Sequence, residues 1–259
     1  MKKVNNVLAI TSKELRIYFT SPMAYVVISV FLLISGFLFS QIVLFASSQS
    51  MQLMRLQGAL PEINVIELVF RPAFHNMAIV ILFTLPLLTM RLLAEEKKTK
   101  TVELLFTSPI SILEIIFGKF LAAFSVFSLM LLLTGFMPVL INIYGDLQWK
   151  PILAGYLGLL LLGGVILSVG LFASSITENQ IIAGFVGFGI TLLLWLMGIA
   201  SQGAGNSVLG DILSFLSVGE HFSSFVKGLI DTKNVVYLLS LATVGLFLTH
   251  RVIEAHRWK

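Results

Sequence analysis

Glu95 and Glu96 are the one place in this 259-residue chain where two carboxylates stand side by side. Adjacent glutamates with histidines on neighbouring helices could hold a metal or move protons, as in some intramembrane proteases. Here the pair is followed by Lys97 and Lys98, and no histidine lies beside it in sequence. The four histidines, His75, His221, His250 and His256, are scattered over different segments, and no His-Glu-x-x-His pattern occurs. There is no cysteine, which removes disulfides, thiolate nucleophiles and Cys-ligated metals. No GxxxxGK[ST] pattern occurs, so the sequence has no phosphate-binding loop of that kind. The reading is of a chain that is not an enzyme, with no catalytic, cofactor-binding or metal-ligating residue.

What remains is charge in one place. Residues 91–109, RLLAEEKKTKTVELLFTSP, hold Arg91, Glu95, Glu96, Lys97, Lys98, Lys100 and Glu103, with apolar sequence on both sides. Read as a helix over 95–107, Glu96 and Lys100 are four apart with the acid first, and Glu95 and Lys98 are three apart. Val102, Leu105 and Phe106 then form an apolar stripe, and Ser108-Pro109 ends the segment. Ser111 and Glu114 have the spacing of a capping box for the next helix. Physical chemistry leaves two readings open. The segment is a short helix tethered between two spans, able to carry motion from a soluble partner into a membrane. Or it is a solvated loop obeying the positive-inside rule.

The elements around it are read from composition. The chain is 57% hydrophobic and 12% charged, against roughly 25% charged for a soluble domain. A soluble fold of this size cannot hide so much apolar surface, whereas a bilayer can solvate it. Cutting at the charges leaves six segments long enough to span, with cores at 23–46, 73–91, 119–143, 152–174, 180–201 and 234–251. Six spans put both termini on one side. That side collects twelve Lys and Arg residues and the other five, so the termini and the charged stretch are expected in the cytoplasm. The net charge of +4 is read as membrane orientation, with no nucleic-acid partner. No cleaved signal peptide is expected at the N-terminus, because charged and polar residues recur as far as Arg16, the apolar run after it is too long for an h-region, and no small-x-small cleavage site ends it.

Smaller features complete the outline. Residues 3–20 show helical spacing of Val4, Val7, Leu8, Leu15, Tyr18 and Phe19, which predicts an interfacial helix, and Thr11 with Glu14 reads as a capping box. Ser21-Pro22 suits the start of span one. The loop 47–72 reads as polar and external. In 202–233 two apolar sets predict a pair of short helices broken near Gly219, either dipping into the outer leaflet as re-entrant elements or forming a small external helical hairpin. Gln41, Asn142 and Gln180 read as interhelical or interface polar residues. The glycines of 155–170 and 184–189 read either as close helix packing or as a sliding surface between protomers. No span carries an acid or base at its centre, which suits a lipid-like or amphiphilic cargo, or force transmission, rather than an ion relay.

The run TMRLLAEEKKTKTVELLFTSPISILEIIFGKFLA, 89–122, resembles the signature of the ABC-2 family of ABC-transporter membrane subunits. The matching positions are Thr101, Glu103, Leu105, Pro109 and Lys119. Where the family usually has Gly before that Thr this chain has Lys100, which predicts a straighter helix. KELRIYFTSPMAYVV (13–27) is similar to the family's amphipathic first helix, and GEHFSSFVKGLIDTKNVVYLL (219–239) to its external segment before span six. Within the family the chain most resembles the gliding-motility-associated and nitrous-oxide-reductase-maturation permeases.

The resemblance implies an all-α polytopic membrane protein: one domain over 1–259, with an interfacial helix over 1–20, six transmembrane helices, a cytoplasmic coupling helix and the external helices before span six. It implies that Glu95, Glu96, Lys97, Thr101, Glu103, Leu105 and Phe106 dock on a cytoplasmic ABC ATPase. Two ATPase copies and a second six-span subunit, identical or homologous, would complete the assembly in a bacterial inner membrane. ATP and Mg²⁺ would belong to the ATPase. The implied activity is export of an unidentified cargo; a membrane scaffold transmitting mechanical work and a polytopic membrane enzyme are the alternatives.

Overall fold

The computed structural model describes residues 2–57, 64–100, 110–145, 147–205 and 207–257. Among them the chain forms helices and no strands. In chain order these are α1 (Lys2–Thr20), α2 (Pro22–Gln57), α3 (Arg71–Thr89), α4 (Ala94–Lys98), α5 (Ile112–Thr134), α6 (Phe136–Tyr144), α7 (Trp149–Ile176), α8 (Gln180–Ala204), α9 (Val208–Leu216), α10 (Val218–Val226) and α11 (Thr232–Arg257). Among the described residues, six stretches are long and apolar enough to cross a bilayer: Pro22–Gln52, Ile66–Lys98, Ile112–Ile143, Trp149–Ile176, Gln180–Gly203 and Thr232–Ala255. The chain is an all-α polytopic membrane protein. Its spans are longer than the apolar cores in the sequence, and in spans two, three, four and six the helices continue past the charges that bound those cores.

α7 is the hub. Its span is 72% buried, as is the span built on α3, whereas those on α2, α8 and α11 are 22%, 28% and 22% buried. The glycines of α7 explain this. A Cβ at Gly155 would fall 2.3 Å from the Phe74 ring, one at Gly158 2.5 Å from Phe225, and one at Gly163 2.0 Å from Phe127. Each missing side chain is a notch filled by an aromatic ring from α3, α10 or α5. In span four the small residues therefore serve packing within the chain.

Several local expectations are corrected. α2 continues to Gln57, so much of the expected loop 47–72 is helical. Its serines do not break the helix, because Ser47 and Ser48 donate to the carbonyls of Leu44 and Phe45 at 2.8 Å each. A π-helical turn, Ile66–Phe70, then leads into α3 with Val69 and Phe70 buried. The pair of short helices expected in 202–233 breaks at Ser217 rather than Gly219. The Ser217 hydroxyl accepts from Glu220 N at 3.2 Å and starts α10. α10 buries Val218, Phe222, Phe225 and Val226 in the bundle, while α9 leaves Val208, Leu209, Ile212 and Phe215 exposed. Gln41 and Asn142 are exposed, which leaves the interface half of their expected reading and not the interhelical one within the chain.

At one end of the bundle the chain brings together α1, the segment after α3, the start of α5 and the turn between α7 and α8. This terminal face carries the charged segment.

Candidate functional site

The site begins where span two stops being one helix. Pro86 has no N–H to donate within α3, and the helix ends at Thr89. α7 approaches this break closely: a Cβ at Gly170 would lie 2.1 Å from Thr89 Oγ1. One turn further along α7, buried Ser174 reaches into the turn. Its Oγ accepts from the backbone N–H groups of Leu93 and Ala94 at 3.0 Å each and donates to the Met90 carbonyl at 3.0 Å. Three backbone groups orphaned by the break are satisfied by one hydroxyl.

α4 has five residues, far too few to hold as an isolated helix, so side chains must fix it. Two of them turn inward. Lys97 Nζ donates to the Ser175 carbonyl on α7. Glu96 Oε1 accepts from Lys119 Nζ on α5 at 2.8 Å. Glu95, Lys98 and Lys100 are exposed. Lys98 borders a polar hollow of about 470 Å³ with Glu178, Asn179, Gln180 and Ile181 of the α7–α8 turn.

Lys119 is the centre of the arrangement. It is 2% exposed, and its ammonium also donates to Glu14 Oε1 on α1 at 2.8 Å. One buried cation thus joins three elements distant in sequence. Removing one partner of a buried ion pair typically costs about 3–5 kcal/mol, because the other charge is left uncompensated.

α1 is seated on α5 by more than that pair. Thr11 Oγ1 shares its proton between Val7 O of its own helix at 2.9 Å and Gly118 O at 3.2 Å, and Asn6 Nδ2 donates to Glu114 Oε2 at 3.5 Å. Gly118 has no side chain where Ile10 sits: a Cβ there would be 2.6 Å from Ile10 Cγ2. Further along α1, buried Tyr18 donates to the Leu88 carbonyl at 2.9 Å, while Leu92 N turns to Thr89 O. The Arg91 guanidinium lies 4.7 Å from the centre of the Tyr18 ring and donates to Ser21 Oγ at 3.4 Å. Burial pushes the Tyr18 phenol well above its ordinary pKa, against the lowering influence of Arg91.

Of the residues expected to dock a partner, Glu95, Glu96 and Lys97 are brought to the terminal face. Thr101, Glu103, Leu105 and Phe106 lie outside the described residues. Of the helix expected over 95–107, α4 ends at Lys98, and 101–107 lie outside the described residues. Lys100 does not straighten it: its φ of 57° is left-handed, the conformation a glycine adopts without cost. The Thr11–Glu14 capping box does not form, because both residues lie inside α1 and reach to α5 instead. The Ser111–Glu114 box does form, with Ser111 N donating to Glu114 Oε2 at 2.8 Å and Glu114 N to Ser111 Oγ at 3.3 Å. Ser21 starts α2 as expected, accepting from Met23 N at 3.3 Å. Glu14, Lys119 and Ser174 were not among the expected site residues. The one sequence signal for Glu14 was that it is the sole acid of a basic helix.

Residues 46–249 match the family described as ABC-2 family transporter protein. The chain belongs to the ABC-2 family. It is therefore a multi-pass permease component of an ABC transporter, a class of subunit that works with an ABC ATPase. The match covers the charged segment, Lys119 and Ser174, whereas α1 and its Glu14 precede it. A comparison with curated proteins returned no match.

Proposed function

We propose that this permease takes up the work of ATP hydrolysis through α4 and the residues that follow it, and uses it to export a lipid-like or amphiphilic cargo. The observation that carries the reading is the anchoring of α4. A five-residue charged helix stands at the terminal face, held to α7 by Ser174 and Lys97 and to α5 by Glu96. A push on such an element is delivered directly to spans two, three and four. Glu95, Lys98 and Lys100 stay exposed for a partner, and Thr101, Glu103, Leu105 and Phe106 extend the docking segment. Charge sets register on a polar groove, and an apolar pair anchors in it.

The terminal face is cytoplasmic in this reading, because the sequence segments assigned to that side carry twelve of the seventeen basic residues. The membrane is a bacterial inner membrane. Two ATPase subunits bind ATP and Mg²⁺, and a second six-span subunit, identical or homologous, completes the pathway. The cargo class follows from spans whose charges sit at their ends.

The test is co-purification with the ATPase encoded beside this chain, comparing wild type with Glu103→Arg and Glu95→Arg after confirming membrane insertion. ATPase activity should follow the wild type and fall with both variants. Retention of the ATPase by both variants would move the docking surface elsewhere. Movement of a fluorescent lipid across reconstituted vesicles, driven by ATP, checks the cargo class; ATP turnover without such movement would argue against it.

A further inference from the structure

We propose that Lys119 is a swivel between two carboxylates: when α4 is displaced it gives up Glu96 and keeps Glu14. This rests on the reading of α4 as the docking element. It adds where the terminal face parts and why parting is tolerated.

The two partners are held differently. Glu14 belongs to a long helix seated on α5 by Thr11, Asn6 and the Ile10–Gly118 contact. Its side chain is 9% exposed. Glu96 belongs to a five-residue helix, and its side chain is 16% exposed. The backbone of α4 is tied to α7, not to α5, because Ser174 holds the N–H groups of Leu93 and Ala94, and Lys97 reaches Ser175 O. A load on α4 therefore meets backbone anchors on the α7 side and, among the described residues, the 2.8 Å side-chain ion pair of Glu96 with Lys119 on the α5 side. The ion pair is the contact that yields.

The charge arithmetic makes release feasible. One ammonium faces two carboxylates, so the cluster carries an excess negative charge and the carboxylates repel each other. If Glu96 leaves, it goes toward water, and Lys119 remains neutralised in its buried position by Glu14. If Glu14 left instead, it would have to drag α1 off α5. A buried ammonium with one carboxylate would lack this option, since losing it strands the charge.

The sequence has no cysteine, so paired spin labels can be placed cleanly. One pair, Lys13→Cys with Thr99→Cys at the C-terminal cap of α4, reads α1 against α4; the other, Lys13→Cys with Leu113→Cys, reads α1 against α5. All are exposed positions. In the protein alone, in nanodiscs, Glu96→Gln should lengthen and broaden the α1–α4 distance and leave α1–α5 unchanged. Glu14→Gln should leave α1–α4 sharp. Should Glu14→Gln fail to fold, the Glu96→Gln arm decides by itself. An α1–α4 distance unmoved by Glu96→Gln, or loosened equally by both variants, overturns the swivel. With the ATPase bound and trapped by a non-hydrolysable ATP analogue, the wild-type α1–α4 distance should shift while α1–α5 stays; joint movement of α1 and α4 overturns it. Failure of the ATPase to bind sinks the docking reading and leaves the partner-free arm to judge Lys119.

Discussion

Ser174→Ala is a substitution of one oxygen atom whose cost can be worked from the geometry. The hydroxyl makes three hydrogen bonds at 3.0 Å, two received from backbone N–H groups and one given to a carbonyl. Ser174 has no exposed surface, so water does not replace the oxygen. A hydrogen bond contributes about 1 kcal/mol net, and a buried donor left without a partner costs about 1–3 kcal/mol. Within membrane spans measured couplings are smaller, averaging about 0.6 kcal/mol, because the unfolded helices also find partners. Three bonds then sum to about 2–5 kcal/mol. At about 2–4 °C per kcal/mol for a chain of this size, the midpoint should fall by about 6–12 °C for a cost near 3 kcal/mol.

α7 supplies its own controls. Ser168 and Ser175 are equally buried, but their hydroxyls donate to carbonyls of the same helix, Val165 and Phe172. Those carbonyls keep their helical partners when the hydroxyl is removed. Ser168→Ala and Ser175→Ala should each cost less than about 1 kcal/mol. The assay is thermal unfolding in detergent followed by tryptophan fluorescence, all three variants side by side. If Ser174→Ala matches the two controls, Ser174 does not hold the break in span two, and the route from α4 into α7 loses its main link.

Three other perturbations follow from the same face. Lys100→Gly should raise stability by up to about 1 kcal/mol by relieving the left-handed φ, whereas Lys100→Ala should not, and thermal unfolding separates them. Gly118→Ala should cost about 1–3 kcal/mol by driving a methyl into Ile10, with partial recovery in the Ile10→Ala double variant; Gly189→Ala, where nothing lies within 4 Å, should be neutral or mildly stabilising. Tyr18 keeps its proton in the fold, while the unfolded chain loses it above about pH 10, so its contribution is full below that pH and is lost as pH rises through the raised folded value. Tyr18→Phe should therefore flatten the alkaline limb of the stability profile, read as unfolding midpoint against pH, while costing about 1 kcal/mol near neutrality for the lost bond to Leu88 O.

The spans were legible because hydrophobic length between charges is a direct physical signal, and so was the Ser111–Glu114 cap, whose partners are three residues apart. What failed to show was of two kinds. Helix ends ran past their expected limits wherever polar residues bonded back to their own helix, as Ser47 and Ser48 do. Contacts between distant segments were invisible to local pattern. Thr11 and Glu14 have capping-box spacing, yet both are used by α5, about a hundred residues away. Lys119 stood out as a motif position at the edge of an apolar core, but α5 begins at Ile112 and buries it. Ser174 carried no signal at all, since a serine in a span looks the same whether it bonds its own helix or another.

The charged segment can now be weighed against the solvated loop that the positive-inside rule alone would produce. A solvated loop needs net positive charge near the membrane and nothing more; its acids are incidental and its lysines interchangeable. Here Glu96 and Lys97 each have a specific partner on a different span, Lys119 on α5 and the Ser175 carbonyl on α7, and Arg91 lies over Tyr18 on α1. The neighbouring Glu95, Lys98 and Lys100 remain in solvent. Such a division of inward and outward charge along six residues is costly to arrange by chance, because each inward group must be desolvated and paired. It has a mechanical sense: the inward charges fix a helix too short to hold itself, and the outward ones leave that fixed helix available to a partner. Neutralising Glu96 and neutralising Glu95 should therefore have different consequences, the first loosening α4 within the permease and the second weakening only what binds to it.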